Sequence, residues 1–175
     1  MSIDYLHEEA VALPGAFSQY DMMALYPALI EIPKDGLYVE VGVRKGRSLM
    51  FARKHSKGTV VGIDIGHEIL LDEFKDVKNW EFIHKASNEA VKDWNRQIDV
   101  LFIDGDHTYK GVKDDWENFS PFVKKGGKVF FHDCDNTSPE VVQLFNEIDP
   151  KLWDKVLCRT ELDERNTSVA RAIKK

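Results

Sequence analysis

The chain has 175 residues, 43% of them hydrophobic and 31% charged, and its formal net charge is −6 at pH 7. This size and composition are typical of one globular domain with a substantial core. The acidic balance, the absence of a Lys/Arg block and the lack of any apolar run near ~20 residues argue against nucleic-acid and membrane partners. Cys134 and Cys158 form no C-x-x-C pair and are expected to be reduced thiols, which, with no signal peptide evident, predicts a cytoplasmic protein.

The first part of the chain predicts an N-terminal helical segment over 1–36, ahead of a sheet core over 37–175 in the same domain. Residues 1–17 are expected to be irregular or a short helix. Residues 18–31 have apolar side chains at helical spacing, and Pro27 is expected to break or restart that helix. The apolar positions are Met22, Leu25, Leu29 and Ile30.

Strands and helices alternate from Leu37 onward. The first strand is predicted to begin at Leu37, and further strands are predicted at 59–64, 80–84, 98–104 and 128–133. The last two strands, 153–160 and 167–173, are predicted to form a hairpin with its turn at 163–166. Helices are predicted at 46–55 with Gly58 as the C-terminal glycine, near 68–75, at 88–96, at 107–119 and after Ser138. This alternation predicts an α/β fold, doubly wound, with a mostly parallel sheet, helices on both faces and an antiparallel strand at the sheet edge.

The stretch LYVEVGVRKGRSLMF at 37–51 predicts a buried strand, a glycine turn and the start of a helix. Such a turn after the first parallel strand is where α/β sheets hold nucleotide-like ligands. Arg44 replaces the second glycine of a dinucleotide fingerprint, and the spacing of Gly42 and Gly46 does not fit a phosphate loop. With Glu40 and Ser48, the turn suits a ligand that carries a positive charge or an amino group. The alternative is a turn whose glycines only allow close packing.

Polar residues also follow the next two strands. Asp64 ends the second strand, 22 residues after Gly42, where a carboxylate can accept hydrogen bonds from ribose hydroxyls. Ile65 follows it, and Ser87 follows the third strand. The alternatives are a helix cap or a loop carboxylate for Asp64 and a helix cap for Ser87.

The stretch 99–135 is the most specific in the chain. It contains FIDGDH at the end of the fourth strand, KKGG, and FHD at the end of the fifth. Together with 37–64 it resembles the class I S-adenosylmethionine-dependent methyltransferases, in particular the small macrocin and sugar O-methyltransferase-like group or the cephalosporin-hydroxylase-like group. The resemblance covers about residues 20–150 and implies a seven-stranded sheet. It also implies that S-adenosylmethionine is bound by Glu40, Gly42, Gly46, Ser48, Asp64, Ile65, Ser87 and Asp104.

The ends of the fourth and fifth strands carry two carboxylates and an imidazole. Neighbouring strands lie about 4.8 Å apart, so these side chains can converge. By resemblance, Asp104, His132 and Asp133 are expected to bind a divalent cation such as Mg²⁺ or Mn²⁺, with Asp135 as a possible substitute. The alternative is that Asp104 contacts only the cofactor, while His132 and Asp133 pack and cap.

His107 is the candidate general base for a substrate hydroxyl, with Asp104 beside it in the catalytic site. A helix N-terminus is expected to hold His107 in its neutral form, and Asp106 is expected to fix its tautomer. The alternatives are adenine contact or helix capping.

The resemblance implies methyl transfer to a hydroxyl of a small molecule, most simply a sugar or a glycosylated metabolite. Two other readings remain open, namely a catalytically silent cofactor-binding module and a metal-dependent hydrolase or hydroxylase. The short N-terminal segment predicts an open pocket, or one that a neighbouring subunit of a homo-oligomer completes.

Overall fold

The computed structural model describes residues 14–66, 74, 78–158 and 169–175. Its strands are β1 (Leu37–Val41), β2 (Thr59–Asp64), β3 (Trp80–His84), β4 (Ile98–Ile103), β5 (Val123–Phe131), β6 (Trp153–Leu157) and β7 (Ala170–Lys174). They form one sheet in the order β3-β2-β1-β4-β5-β7-β6. The pairs among β1 to β5 are parallel, whereas β7 is antiparallel to both of its neighbours. The prediction of a mostly parallel, seven-stranded α/β sheet with an antiparallel C-terminal strand is therefore confirmed.

The C-terminal strands enter this sheet differently from the expectation. The antiparallel strand β7 lies between β5 and β6, so that β6 and not β7 forms the edge. The small side chains of Ala170 and Ala172 are fully buried in β7, whereas β6 exposes Asp154, Val156 and Leu157. The more exposed strand therefore takes the position with one unpaired side. The turn predicted at 163–166 lies outside the described residues.

Helices cover both faces of the sheet, as predicted. They are α1 (Gln19–Glu31), α2 (Arg47–His55), α3 (Ser87–Ala90), α4 (Tyr109–Phe119) and α5 (Pro139–Glu147). Successive strand residues point to opposite faces of the sheet. Tyr38 therefore belongs to the hydrophobic cluster between the sheet and helices α1 and α2, whereas Val39 belongs to the hydrophobic cluster between the sheet and helices α4 and α5. No helix among the described residues is long and apolar enough to cross a membrane.

Helix α1 continues through Pro27 without a break, which corrects the expectation. Ser18 and Asp21 form a reciprocal capping box at its start, and the face that carries Met22 and Leu25 is fully buried. This packing offsets the backbone hydrogen bond that Pro27 cannot donate. Ile30 was expected on the apolar face but is 44% exposed.

Two helix ends also differ from the prediction. Helix α2 ends at His55 with Ser56 as its C-cap, and Gly58 instead serves a close approach, because a Cβ there would lie 2.4 Å from the carbonyl oxygen of Gly36. The helix expected at 88–96 is a single turn, α3, followed by a 3-10 turn that ends before the buried Trp94. The helix predicted near 68–75 lies almost entirely outside the described residues, as does the segment 1–13.

Candidate active site

A cavity of about 580 Å³ lies at the carboxyl ends of the parallel strands. This volume is typical of sites for small molecules and cofactors. The predicted site residues that line it are Gly42, Ser48, Asp64, Ile65, Ser87, Asp104, His107, His132 and Asp133. Glu40 and Gly46 are not part of the lining. The topology therefore brings most of the predicted residues to one cavity.

The glycine turn after β1 contains three left-handed backbone conformations, at Gly42, Arg44 and Gly46, and two of them are glycines. Gly42 has φ 88° and Gly46 has φ 91°, and L side chains rarely adopt such angles. A Cβ on Gly42 would lie 2.1 Å from the carbonyl oxygen of Asp104, so this glycine also lets β4 end against the turn. Gly46 is the N-cap of α2. It shapes the turn and does not itself face the cavity.

Asp64 ties the glycine turn to the end of β2. Its Oδ2 accepts hydrogen bonds from the backbone N–H groups of Val43 and Arg44, each at 2.7 Å, and its Oδ1 accepts one from Gly66 at 2.6 Å. Burial alone raises the pKa of Asp64, but these backbone donors lower it further than burial raises it. The carboxylate therefore stays ionised. The loop-carboxylate role is observed, and hydrogen bonding to a ribose stays a prediction.

Glu40 does not occupy the position expected for a direct ligand contact. It is fully buried, and it accepts hydrogen bonds from the Tyr38 hydroxyl and the Ser48 hydroxyl, each at 2.7 Å. Burial raises the pKa of Glu40 to about 8, although both hydrogen bonds oppose the rise. Because Ser48 lines the cavity, Glu40 supports the site from beneath it.

This burial of Glu40 gives a prediction about pH. The raised pKa means that the folded chain keeps a proton that the unfolded chain loses above its ordinary value of 4.5. The free energy of unfolding is therefore expected to fall by a few kcal/mol as the pH rises from about 4.5 to about 8. Glu40→Gln should make this fall smaller, because the amide has no proton to lose and hydroxyls of Tyr38 and Ser48 can accept as well as donate. Part of the fall should remain above pH 6.5, because the pKa values of His107 and His132 are also raised from 6.5.

Urea denaturation at half-unit pH steps would measure this effect. Asp115→Asn is the matched control, since burial raises the pKa of Asp115 only to about 6. Between pH 6 and 8 the control should retain most of the slope of the wild-type protein. Equal slopes for wild-type and Glu40→Gln proteins in that range would contradict the prediction.

Two carboxylates and two imidazoles converge where β4 and β5 end. The Nε2 atom of His107 lies 3.1 Å from Asp133 Oδ2 and 3.5 Å from Asp104 Oδ1. The Nδ1 atom of His132 lies 3.1 Å from Asp104 Oδ1 and 3.3 Å from Asp133 Oδ2. The predicted convergence of Asp104, His132 and Asp133 is therefore present, because β4 and β5 are neighbours in register.

His132 is a buried member of this cluster, only 3% exposed. Its Nδ1 atom makes no hydrogen bond, although the two carboxylate oxygens are close. Burial lowers the pKa of His132, but its short contacts with the carboxylates of Asp104, Asp133 and Asp21 raise it to about 12. His132 thus packs in the core, as the alternative interpretation held, and also directs one ring nitrogen at the acidic pair.

His107 differs electrostatically from the expectation. Hydrogen bonds to Asp104 and Asp133 raise its pKa to about 10 against the effect of burial. The prediction of a neutral His107 is therefore wrong for these surroundings, because two carboxylates outweigh the helix N-terminus. Asp106 does not fix the tautomer through a described contact, since its Oδ1 accepts a hydrogen bond from the Thr108 N–H at 2.9 Å.

The same cluster has the composition of a cation site. Among the described residues, ligand atoms of Asp104, His107 and Asp133 all lie within 4.8 Å of one another. Asp135, which was expected as a possible substitute cation ligand, instead accepts hydrogen bonds from the backbone N–H and the hydroxyl of Thr137. His107 is therefore as close to the acidic pair as His132 is, although only His132 was expected to be a cation ligand.

Two further acidic residues belong to the site but were not predicted. Asp21, 2% exposed, lies 3.4 Å from His132 Nε2, and its spacing from Ser18 is the sequence signal of a capping box. Asp115 is 5% exposed on α4 and lines the cavity. The sequence feature that could have identified Asp115 is its helical spacing from Val112 and Phe119, which places a carboxylate on the apolar face of the helix.

Comparisons with known proteins agree with this architecture. A family profile described as a methyltransferase domain matches residues 39–134, more than half of the chain. A curated relative, an uncharacterised protein of Acanthamoeba polyphaga mimivirus, is 32% identical over 136 residues, which cover 66% of this chain and 60% of the relative. The chain thus spans less than two thirds of that relative's length.

Solved structures share the fold at low sequence identity. An rRNA methylase from Streptococcus thermophilus has a TM-score of 0.74 and 14% identity, covering 91% of this chain and 99% of the other. An O-methyltransferase from Bacillus cereus in complex with SAH has a TM-score of 0.71 and 13% identity, covering 99% and 90%. With the matched family profile, these findings show that the chain belongs to the methyltransferase domain family and has the class I S-adenosylmethionine-dependent methyltransferase fold.

Proposed function

We propose that the protein transfers a methyl group from S-adenosylmethionine to a hydroxyl of a small molecule, with a sugar or a glycosylated metabolite as the leading acceptor class, assisted by a divalent cation. The observation that carries this proposal is the convergence of Asp104, His107, His132 and Asp133 in the cavity that begins at the glycine turn. Family membership and the fold shared with the Bacillus cereus O-methyltransferase support it.

The proposed cofactor position follows from the two ends of the cavity. S-adenosylmethionine supplies an activated methyl group on a positively charged sulfur. The turn at Gly42 and the charged carboxylate of Asp64 form one end of the cavity, where Ile65 is 69% exposed. Ser87 lines the same cavity beside Asp115. These groups would hold the nucleoside, so that the reacting end points toward Asp104. Alignment of this kind accounts for much of the rate of a group transfer.

The residues present fit a divalent cation. Asp104, Asp133 and the imidazole groups offer oxygen and nitrogen ligands, and the buried Nδ1 of His132 has no hydrogen bond. Oxygen-rich sites with mixed nitrogen ligation suit Mg²⁺, Mn²⁺ and similar ions. A bound cation would lower the pKa of an acceptor hydroxyl. Asp104, Asp133 and His132 would hold it, and Asp104 would also face the reacting atoms.

His107 is the group that we assign to take the hydroxyl proton. The carboxylates of Asp104 and Asp133 raise its pKa, and a cation held by the same two carboxylates would offset their charge and return the imidazole to its neutral, proton-accepting form. Its side chain is 43% exposed, whereas that of His132 is 3% exposed. It precedes α4 at the open side of the cluster. An acceptor entering from solvent would therefore meet Nε2 of His107 before it meets the buried imidazole. Proton transfer by a positioned histidine typically contributes 10²- to 10⁴-fold to a rate.

The two other readings have weaker support. A silent cofactor-binding module gives no reason for two carboxylates and two imidazoles to meet beside the cavity. A hydrolase or hydroxylase would need a nucleophile or a redox-active metal set that the described residues do not display beyond this cluster. The rRNA methylase that shares the fold acts on RNA. In this chain, six aspartates line the cavity against four Lys and Arg residues, and the net charge of −6 opposes a phosphate backbone.

Titration calorimetry with S-adenosylhomocysteine and a methyl-transfer assay over a panel of hydroxylated acceptors test the proposal. We expect cofactor-product binding, and turnover that EDTA removes and Mg²⁺ or Mn²⁺ restores. Asp133→Asn should lower turnover at least ~100-fold. The affinity for S-adenosylhomocysteine should stay within about twofold, because Asn tolerates the left-handed backbone that residue 133 adopts at φ 50°.

Each negative result has a distinct meaning. Absence of S-adenosylhomocysteine binding would overturn the proposed function. Turnover that persists in EDTA would overturn the cation alone. Binding without turnover on any acceptor would favour the silent binding module.

A further inference from the structure

The N-terminal helix places a buried carboxylate behind the acid–imidazole cluster. Asp21 is 2% exposed, and its Oδ2 accepts a hydrogen bond from the Ser18 N–H at 2.7 Å. The same oxygen lies 3.4 Å from Nε2 of His132. Asp21 does not line the cavity. Its carboxylate therefore meets the acid–imidazole cluster at the ring of His132.

The ring of His132 lies between Asp21 and the acidic pair. One ring nitrogen, Nε2, faces Asp21, and the other, Nδ1, lies 3.1 Å from Asp104 Oδ1 and 3.3 Å from Asp133 Oδ2 without a hydrogen bond. The rings of Phe17 and Phe102 pack against it, with centroids 6.2 and 5.9 Å away. The ring is thus enclosed on its apolar faces and oriented by what its two nitrogens meet.

We infer that Asp21 is a positioning residue that sets the tautomer of His132. A carboxylate only accepts hydrogen bonds, so Asp21 requires a proton on Nε2. A cation held by Asp104 and Asp133 would displace the second proton that the acidic pair otherwise favours on Nδ1, and the singly protonated imidazole would then direct a bare lone pair at the cation. The opposite tautomer would place a proton where a cation ligand is needed. This inference rests on the cation of the proposed function, and it assigns to this chain an outer carboxylate of the kind that orients metal-binding histidines.

The same contact couples helix α1 to the site. Asp21 is the third residue of α1, where its side chain completes the capping box with Ser18. The carboxylate therefore has a structural role and a positioning role at once. Substitutions at Ser18 and Asp21 separate the two, because Ser18 contributes to the cap and has no described contact with His132.

Mn²⁺ binding to the full chain, measured by electron paramagnetic resonance without cofactor or acceptor, tests the inference. In Asp21→Asn, the single position that faces both the Ser18 N–H and Nε2 holds either a neutral oxygen, which is a weaker acceptor than a carboxylate, or an NH₂ group, which favours the opposite tautomer. We expect Asp21→Asn to weaken Mn²⁺ binding about 10- to 100-fold. Ser18→Ala, the matched control, should lower the melting temperature and leave Mn²⁺ affinity within about twofold.

A second measurement needs no variant. Nitrogen-15 spectra of histidine-labelled wild-type protein with Mg²⁺ report which ring nitrogen of His132 carries the proton. We expect the proton on Nε2, with Nδ1 deprotonated. A proton on Nδ1, or equal Mn²⁺ affinity of wild-type and Asp21→Asn proteins, would overturn the inference and leave the proposed function standing. Absence of Mn²⁺ and Mg²⁺ binding to the wild-type protein would overturn both the inference and the proposed cation.

Discussion

Gly42→Ala is expected to lower the free energy of unfolding by about 3 kcal/mol or more. Two effects add at this position. The backbone has φ 88°, which an L residue adopts only with strain, and a Cβ would lie 2.1 Å from the Asp104 carbonyl oxygen and 2.6 Å from the Gly105 Cα. Both contacts are backbone atoms at the end of β4, so relief requires β1 and β4 to separate. Chemical denaturation of both proteins measures the difference.

Gly126→Ala provides the matched control for this prediction. Gly126 also has a left-handed backbone, with φ 77°, but apart from its chain neighbours no atom of the described residues lies within 4 Å of the position of its Cβ. The control should therefore show only the conformational strain, about 1–2 kcal/mol. If Gly42→Ala cost no more than Gly126→Ala, the close packing of the turn against β4 would not be the reason for the glycine.

Asp64→Asn is expected to weaken S-adenosylhomocysteine binding at least ~30-fold, equivalent to about 2 kcal/mol. Both side-chain oxygens of Asp64 accept hydrogen bonds from backbone N–H groups. Oδ2 accepts from Val43 and Arg44, and Oδ1 accepts from Gly66. An amide replaces one acceptor with an NH₂ group, which then faces N–H donors that lose their partner. The glycine turn would shift, and only one side-chain oxygen would remain to accept hydrogen bonds from the backbone and from the ribose. Calorimetric titration measures the affinity.

The control for Asp64→Asn is a carboxylate with a similar structural role at the other end of the sheet. Asp99 accepts a hydrogen bond from the Leu37 N–H at 2.8 Å and pairs with Lys124. It does not line the cavity. Asp99→Asn should therefore lower stability by about 1–2 kcal/mol and leave S-adenosylhomocysteine affinity unchanged. A similar loss of affinity in both variants would mean that general destabilisation, and not the position of Asp64, explains the effect.

Features that depend on the alternation of strands and helices along the chain, and hence on parallel strand direction, were predictable from the sequence. Alternating strands and helices imply a parallel sheet, and the carboxyl ends of parallel strands lie at one edge. Residues that directly follow β1, β2, β4 and β5 therefore meet at that edge, whatever the details of packing. This is why Gly42, Asp64, Asp104 and Asp133 were identified correctly as neighbours of one cavity.

Side chains inside the core could not be assigned in this way. Glu40 precedes the turn by two residues, and only the pleat of β1, together with the packing of α2, shows that it bonds to Tyr38 and Ser48 beneath the cavity. The charge state of His107 likewise depends on how closely two carboxylates approach it. Such distances are set by tertiary packing and leave no periodic signal in the sequence.

By itself, the sequence determined the class of fold, the parallel strand ends and the residues gathered there, because local hydrophobic pattern and chain connectivity specify them. Only the tertiary structure decided that β7 enters between β5 and β6, that α1 passes through Pro27, and that Asp21 lies behind His132. Each of these depends on contacts between residues far apart in the chain. Asp21 and His132 are 111 residues apart, and only the packing of α1 against the sheet brings them together.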